Sequence, residues 1–346
     1  MSAHGPLRLG VVMPVRDGRA TLMRSLPAVL RAGRDLPLDV VVVDDGSVDR
    51  SAELAETIAA DVGLARVTVI PSGGAGLGPA CARNVGAGTV NGDVLVFVDA
   101  DVELHPDALQ RVAQALQDPT LTAVYGSYDD QPAHDGFASD YMNLRHHHGH
   151  RQPSENAATF WAGLGAVRRE AFESVGGFDG AAYPFPSIED IELGHRLRLA
   201  GGRISRHPDI QGTHLKRWTL AGVVHTDVRR RALPWARLMR SHPGAFGDLN
   251  LGLTERMRAA LAVLLALTLL GTLFGVVPFV VLLGALGVML LAHARFGALL
   301  SRRGGPAFAL GALLFHQLHY LYAGATWLFV RCSPRTEDVP PPKTAA

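Results

Sequence analysis

Cysteine is nearly absent: Cys81 and Cys332 are the only two in 346 residues. They stand far apart and fit neither a disulfide framework nor a zinc-ligand pattern, so a reducing compartment is the simplest reading. An excess of charge of one sign is also lacking. Lys plus Arg number 33 and Asp plus Glu 32, which removes any overall electrostatic argument for nucleic-acid binding or an acidic tail. The opening MSAHGPLRLGVVMPV has no charged start followed by an apolar stretch and a small-residue cleavage site. No secretory signal is therefore expected, and the front of the chain should stay in the cytoplasm.

What the chain does have is an alternation. Short apolar runs at residues 9–15, 40–44, 66–70 and 94–98 stop at turn-forming or polar residues, as strands buried on both faces do. Helical patterns at residues 20–32, 51–60 and 80–90 lie between them. Strand alternating with helix predicts a mostly parallel α/β sheet with right-handed crossovers. Residues 120–180 read as looser loops, the histidine-rich stretch 145–151 included. A helix is then expected over about 188–200, ended by Gly201-Gly202.

Hydrophobicity collects at the back. Residues 216–258 carry nine Lys or Arg interleaved with Trp218, Leu233, Trp235, Leu238 and Met239, a mixture suited to a helix lying on an anionic membrane surface. Residues 259–292 contain no charge, and Gly275 and Pro278 break them near the middle. A transmembrane hairpin is expected there, with 307–330 as a third membrane segment that crosses or lies in the interface. The arginines at 295, 302 and 303 would face the cytoplasm.

The chemistry-bearing residues stand at the carboxyl ends of the expected strands, where ligands of such sheets bind. Asp99 and Asp101, after the apolar VLVFV, are costly to hold together without a cation; hard oxygen ligands suit Mg2+ or Mn2+. Asp44 and Asp45 follow another buried strand and could accept hydrogen bonds from a nucleobase or ribose; alternatively Asp45 or Ser47 simply caps the next helix. The run Gly73-Gly74-Ala75-Gly76-Leu77-Gly78 has the wrong place and spacing for a dinucleotide fingerprint. It reads as a flexible loop before Arg83, which could approach a diphosphate. The tract His146, His147, His148 and His150 has the composition of a metal site but no companion cluster, and reads as a loop near an acceptor.

The ordered succession VVMPVRDG, VVVDDGS, ARNVGAG, VFVDAD, GGFD, EDIELGHRLRLAG and HLKRW spans residues 9–218 and resembles the inverting glycosyltransferase family 2, in its membrane-anchored, non-processive form. The resemblance implies the GT-A nucleotide-diphospho-sugar transferase fold and a nucleotide-diphospho-sugar donor held by Pro14, Asp44, Asp45, Arg83, Asp99 and Asp101. It also implies a divalent metal on Asp99 and Asp101 and a catalytic base in the pair Glu189-Asp190. Asp190 is the candidate base, because an acceptor hydroxyl must lose its proton as it attacks the anomeric carbon.

His214 stands where processive members carry Gln, and is the candidate third metal ligand. Trp161, Gly163, Glu189 and Trp218 are expected to line the acceptor pocket. The organisation expected is a catalytic domain over 1–215, an interfacial segment over 216–258, a transmembrane region over 259–331 and a disordered tail over 332–346. The chain would then be a multi-pass membrane protein with a cytoplasmic catalytic domain. Its partners would be membrane lipids, among them a lipid, polyprenyl phosphate or lipid-linked glycan acceptor, and no nucleic acid. A processive synthase and a non-catalytic membrane scaffold are the rival readings.

Overall fold

Residues with branched apolar side chains in uninterrupted runs form strands when both faces can be covered, and that is where the sheet begins. The computed structural model describes residues 7–62, 67–74, 76–242 and 252–334. In chain order these form β1 (Leu9–Val15), α1 (Arg19–Ala32), β2 (Leu38–Asp44), α2 (Ser51–Val62), β3 (Val67–Pro71), α3 (Pro79–Thr89), β4 (Val94–Val98), β5 (Val102–Leu104) and α4 (Ala108–Ala115). There follow β6 (Ala123–Tyr128), α5 (Phe137–His150), β7 (Leu164–Arg168), α6 (Arg169–Ser174), α7 (Glu189–Leu199) and β8 (Ile204–His214). The remainder is α8 (Leu220–His225), a π-helical segment Thr226–Ala232, α9 (Leu233–Ser241), α10 (Leu253–Leu273), α11 (Phe279–Ala292) and α12 (Ala294–Cys332). Of the strand expected over 66–70, Arg66 lies outside the described residues.

The described chain divides into two units, one of residues 7–134 and 150–217, the other of residues 135–149 and 218–334. The first holds a single eight-stranded sheet in the order β3-β2-β1-β4-β7-β6-β8-β5. β1, β2, β3 and β4 pair in parallel, as does β6 with β8, while β7 runs antiparallel to β4 and β6, and β5 antiparallel to β8. The sheet is thus mixed, parallel on the side that opens the chain. Every residue of β4 is buried. Pro14 is accommodated near the end of β1 because the β1–β4 ladder closes at the Val12–Phe97 pair, so its missing N–H costs no bond to β4.

Residues 120–180, expected as loops, contain β6, α5, β7 and α6. All six residues of β6 are buried, Gly126 and Ser127 included, so the strand lacks the inside–outside alternation that would mark it. The histidine-rich stretch is the last turn and a half of α5, not a mobile loop.

In the second unit Ala138, Tyr141, Met142 and Leu144 of α5 pack with Leu265, Met289, Phe296, Leu300 and Leu313. Among the described residues one helix, Leu253–Leu273, is by itself long and apolar enough to cross a membrane. The fourteen residues of α11 rise about 21 Å, short of a hydrocarbon core of about 30 Å. α11 passes that test only together with α12, to which it is bent by 82°. The described residues thus hold one candidate span, and a second if the bent pair is one span. Within α12, Gly305 takes φ 78°, a left-handed conformation open to glycine, and Pro306 follows. The helix breaks there, just before the segment expected as the third crossing.

Candidate active site

The carboxyl ends of the parallel strands lie in register. Val15 of β1 pairs with Asp44 of β2, and Asp44 with Pro71 of β3. The ladder runs one step past these ends through backbone bonds between neighbouring strands: Asp45 N–H donates to Val15 O and Ser72 N–H to Asp44 O. The Asp44 carboxylate accepts from Ser47 N–H at 3.2–3.3 Å, closing the turn into α2. The buried Asp45 carboxylate has a different task. Its two oxygens accept from Leu77 N–H at 3.0 Å and Gly78 N–H at 2.9 Å, which fastens the glycine-rich loop to the end of β2. Gly78 takes φ 89°, and a Cβ there would meet Pro184 O at 2.2 Å, so glycine is required for both reasons.

Asp99 follows β4, with its N–H donating to Gly163 O at 3.1 Å. Asp101 opens β5, its carbonyl accepting from Leu215 N–H, and its carboxylate lies 3.6 Å from His214 Nε2. His214 is buried at the end of β8 and stacks on Tyr128, ring centroids 4.1 Å apart. Asp99 is engaged elsewhere: Arg83 Nη2 donates to it at 2.7 Å, while Nη1 of the same guanidinium donates to Glu189 at 2.8 Å. Arg83 is buried on α3, and its charge is retained against the cost of burial because Asp99 and Glu189 face it.

These contacts set the electrostatics. Burial, helped by the neighbouring Asp101 charge, pushes the Asp99 carboxyl up. Burial acts the same way on Asp101, but His214 and Lys216 outweigh it and hold that carboxyl below its ordinary value. Asp190 opens α7 and accepts from Ala162 N–H at 3.1 Å and from its neighbour Ile191 N–H at 2.8 Å. Burial first, and the Glu189 charge second, push its carboxyl up to about 7. A carboxyl poised near neutrality is suited to take a proton in one step and release it in the next.

A divalent cation fits this donor set. Asp101 and His214 offer a carboxylate and an imidazole a few ångströms apart, and a cation would relieve the like charge of Asp99 beside Asp101. Among the described residues no three His, Cys, Asp or Glu converge as a ready cluster, since Asp99 is turned to Arg83. Two protein ligands, with phosphate oxygens and water filling the other positions, is a usual arrangement for Mg2+.

Ala162 N–H reaches Asp190, and Trp161 precedes it in the chain. Its indole meets Tyr128 edge-on at 4.9 Å and His150 at 5.4 Å. Gly163 lies beneath the indole, where a Cβ would meet Trp161 Cζ2 at 2.5 Å. Gly163→Ala is therefore expected to displace the indole at a cost of about 1–3 kcal/mol, measured as lost stability and as a change in tryptophan fluorescence. The carbonyl of the same glycine holds Asp99, so the wall and the acidic cluster move together.

In the first unit Arg83 joins Asp99 to Glu189, Asp101 meets His214, Asp99 bonds Gly163 and Asp190 bonds Ala162 beside Trp161, while Pro14, Asp44 and Asp45 stand at the ends of β1 and β2. Trp218 belongs to the second unit, where its backbone N–H donates to Ser139 Oγ at 3.0 Å and its ring packs on the apolar cluster of the helices. Tyr128 was not anticipated as part of the site, whereas His150 belongs to the tract expected near an acceptor. Tyr128 ends an apolar stretch, which was the signal available for it.

Residues 10–176 match the model of glycosyl transferase family 2. This chain carries a family 2 glycosyltransferase domain. Residues 144–218 also match a model described as the N-terminal domain of galactosyltransferase, so the two together reach from β1 through β8. Two curated relatives are a 4,4'-diaponeurosporenoate glycosyltransferase of Staphylococcus haemolyticus, 32% identical over 31% of this chain and 28% of its own length, and an undecaprenyl-phosphate 4-deoxy-4-formamido-L-arabinose transferase of Pseudomonas paraeruginosa, 35% identical over 31% of each. This chain therefore spans about a third of those relatives. A mannosyltransferase of Pyrobaculum calidifontis, solved with GDP-Man and Mn2+, shares the GT-A fold with a TM-score of 0.60, at 20% identity over 94% of this chain and 88% of that one.

Proposed function

We propose that this family 2 domain transfers a sugar from a nucleotide-diphospho-sugar, with a divalent metal, to a membrane-associated acceptor, inverting the anomeric carbon. The observation that carries the proposal is the meeting of two acidic groups beyond one sheet edge. Asp99 and Asp101, with His214, stand on one side, and Glu189 and Asp190 stand on the other, joined to Asp99 through Arg83. A single displacement needs those two things: neutralisation of a leaving diphosphate, and a base for the incoming oxygen.

Asp101, His214 and Asp99 would hold the metal, which supplies a Lewis acid for the diphosphate oxygens when bound. Arg83 orients the acidic groups and Asp190 receives the proton. Asp44, Asp45 and Pro14, at the ends of β1 and β2, would border the nucleoside. That a mannosyltransferase of this fold was solved with GDP-Man and Mn2+ supports the donor class, and the polyprenyl-phosphate and carotenoid-acid relatives support a membrane-borne acceptor. α10 and the bent pair of α11 and α12 would hold the enzyme at the membrane with the catalytic unit in the cytoplasm.

The test is a panel of nucleotide sugars measured for metal-dependent binding to the full chain in detergent. One donor should bind with Mn2+ or Mg2+ and lose at least about tenfold in affinity in Asp101→Ala. If no donor binds with either metal, the scaffold reading replaces this one.

A further inference from the structure

Two helices that cross a bilayer and return bring their connecting turn out into water on the far side. Each arm then needs about 20 apolar residues, and the turn carries polar groups. The hairpin of α10 and α11 has neither property. α10 opens with Glu255, Arg256 and Arg258 and reaches the length of a crossing only by including such charges. Its uncharged part, residues 259–273, rises about 22 Å, close to the about 21 Å of α11. Both arms fall short of a hydrocarbon core of about 30 Å by a similar amount.

We infer that α10 and α11 form a re-entrant hairpin, which enters and leaves the bilayer on one face and ends with its tip in the hydrocarbon; this rests on the reading that the helices hold the enzyme at a membrane. The tip, residues 273–280, reads LFGVVPFV. Phe274 is 80% exposed and Val276 79%, and no side chain of this stretch is charged or forms hydrogen bonds. The only polar side chains between residues 259 and 292 are Thr268 and Thr272. Both hydroxyls donate to carbonyls of their own helix, Leu265 O at 2.9 Å and Thr268 O at 2.8 Å.

The backbone of the turn is closed in the same way. Phe274 N–H donates to Leu270 O, Gly275 N–H to Thr272 O, and Val276 and Val277 N–H both to Gly271 O, at 2.8–3.1 Å. Pro278 has no N–H to satisfy. A turn in water can leave such groups to the solvent, whereas one in hydrocarbon has to bond them internally. Two glycines make the closure possible. Gly275 takes φ 71°, and a Cβ at Gly271 would meet Val277 Cγ2 at 2.5 Å.

The base of the hairpin is built for a different medium. Arg258 pairs with Glu255, and its Nε donates to Ala292 O at 3.2 Å, so the two arms are joined where the charges begin. Tyr320 of α12 donates to Glu255 at 2.6 Å, and Arg295 stands exposed three residues past α11. Charge thus gathers at one end of the hairpin and is missing from the other. The chain before residue 259 and the chain after residue 292 then lie on the same face of the bilayer.

The test uses the full chain in vesicles of phosphatidylethanolamine and phosphatidylglycerol, with Cys81→Ala and Cys332→Ala removing the native thiols. Val276→Cys puts a thiol at the tip and Arg295→Cys puts one at the base. With the vesicles opened so that both faces are reached, a membrane-impermeant maleimide should label the Arg295→Cys chain. It should fail to label the Val276→Cys chain until that chain is denatured in dodecyl sulfate. A membrane-permeant fluorophore coupled to the Val276→Cys thiol should be quenched more by lipids spin-labelled deep in the acyl chain than by lipids labelled at the headgroup.

Labelling of the tip in the intact bilayer means that the turn emerges into water, which overturns the inference and leaves membrane attachment standing. Stronger quenching from the headgroup puts the hairpin flat in the interface and overturns it as well. So does protection without quenching by either lipid, which means that a second copy of the chain covers the tip. A chain that does not float with the vesicles overturns the membrane reading itself, and this inference with it.

Discussion

Asp190→Asn should lower the rate of transfer by about 10²–10⁴ while leaving nucleotide affinity within a few-fold of wild type. The amide keeps one oxygen to accept from Ala162 N–H, while the bond from Ile191 N–H to the other oxygen is lost together with the proton acceptor. The pH profile gives the same residue a second signature. With its carboxyl raised to about 7, the ionised form that acts as base is in the minority at pH 6, and kcat/KM of the wild type should rise with pH and level off above about 7.

Stability moves the other way. Between the ordinary carboxyl value of 3.8 and about 7, the folded protein keeps a proton that the unfolded chain has released. This group's contribution is therefore fully present below about 3.8 and is lost as pH rises to 7. At pH 8 Asp190→Asn should then be about 1–2 kcal/mol more stable than wild type, read by thermal unfolding. A variant that is both less stable and fully active would remove Asp190 from the mechanism.

The second large effect belongs to the helical unit. The Asp227 carboxylate is fully buried within the π-helical segment. Arg145 of α5 donates to both of its oxygens at 2.6 and 2.7 Å, and Tyr322 of α12 donates at 2.6 Å. His319 Nδ1 stands 3.2 Å away. Three separate stretches of chain thus meet on one carboxylate. Asp227→Ala leaves the Arg145 guanidinium without its main counter-charge, and loss of one partner of a buried pair costs about 3–5 kcal/mol.

Replacing both partners by apolar residues should restore most of that, because the desolvation penalty disappears with the charges. Unfolding of Asp227→Ala and of the double variant Arg145→Met with Asp227→Leu, followed in detergent, separates the two. A single variant that costs less than about 1 kcal/mol would show that the pair does not hold the helices together.

Sequence and structure agree most closely where the physics is local. β1, β2 and β4 are continuous runs of Val, Leu and Ile-like residues, and the acidic groups at their ends could be placed in one crevice from strand ends alone. The middle of the chain was opaque for a definite reason. β6 is buried throughout, α5 spreads histidines around its circumference, and both depend on partners distant in sequence: β8 for the strand, and α10 to α12 for the helix.

The roles within the site followed the same division. That Asp99 and Asp101 should lie together follows from their spacing. That Arg83 would divide itself between Asp99 and Glu189, 106 residues from it, does not. Nor could Asp45 be seen to spend both oxygens on the glycine-rich loop, since no local pattern announces a partner thirty residues on. Membrane crossing was less legible because composition carries no geometry: residues 259–292 are apolar throughout, yet α11 is too short to cross alone and turns by 82° into α12.

One feature of connectivity governs how this protein is made and handled. α5 is coded between β6 and β7, inside the catalytic sheet, yet packs with helices coded after the sheet's last strand. No single cut of the chain separates the two units. A fragment stopping at residue 217 would carry Tyr141, Met142 and Leu144 with their covering helices missing, an adhesive surface on an otherwise finished enzyme. During synthesis the same surface waits, uncovered, until α10 to α12 emerge, so these helices serve the chain as a chaperone of its own that arrives after the sheet.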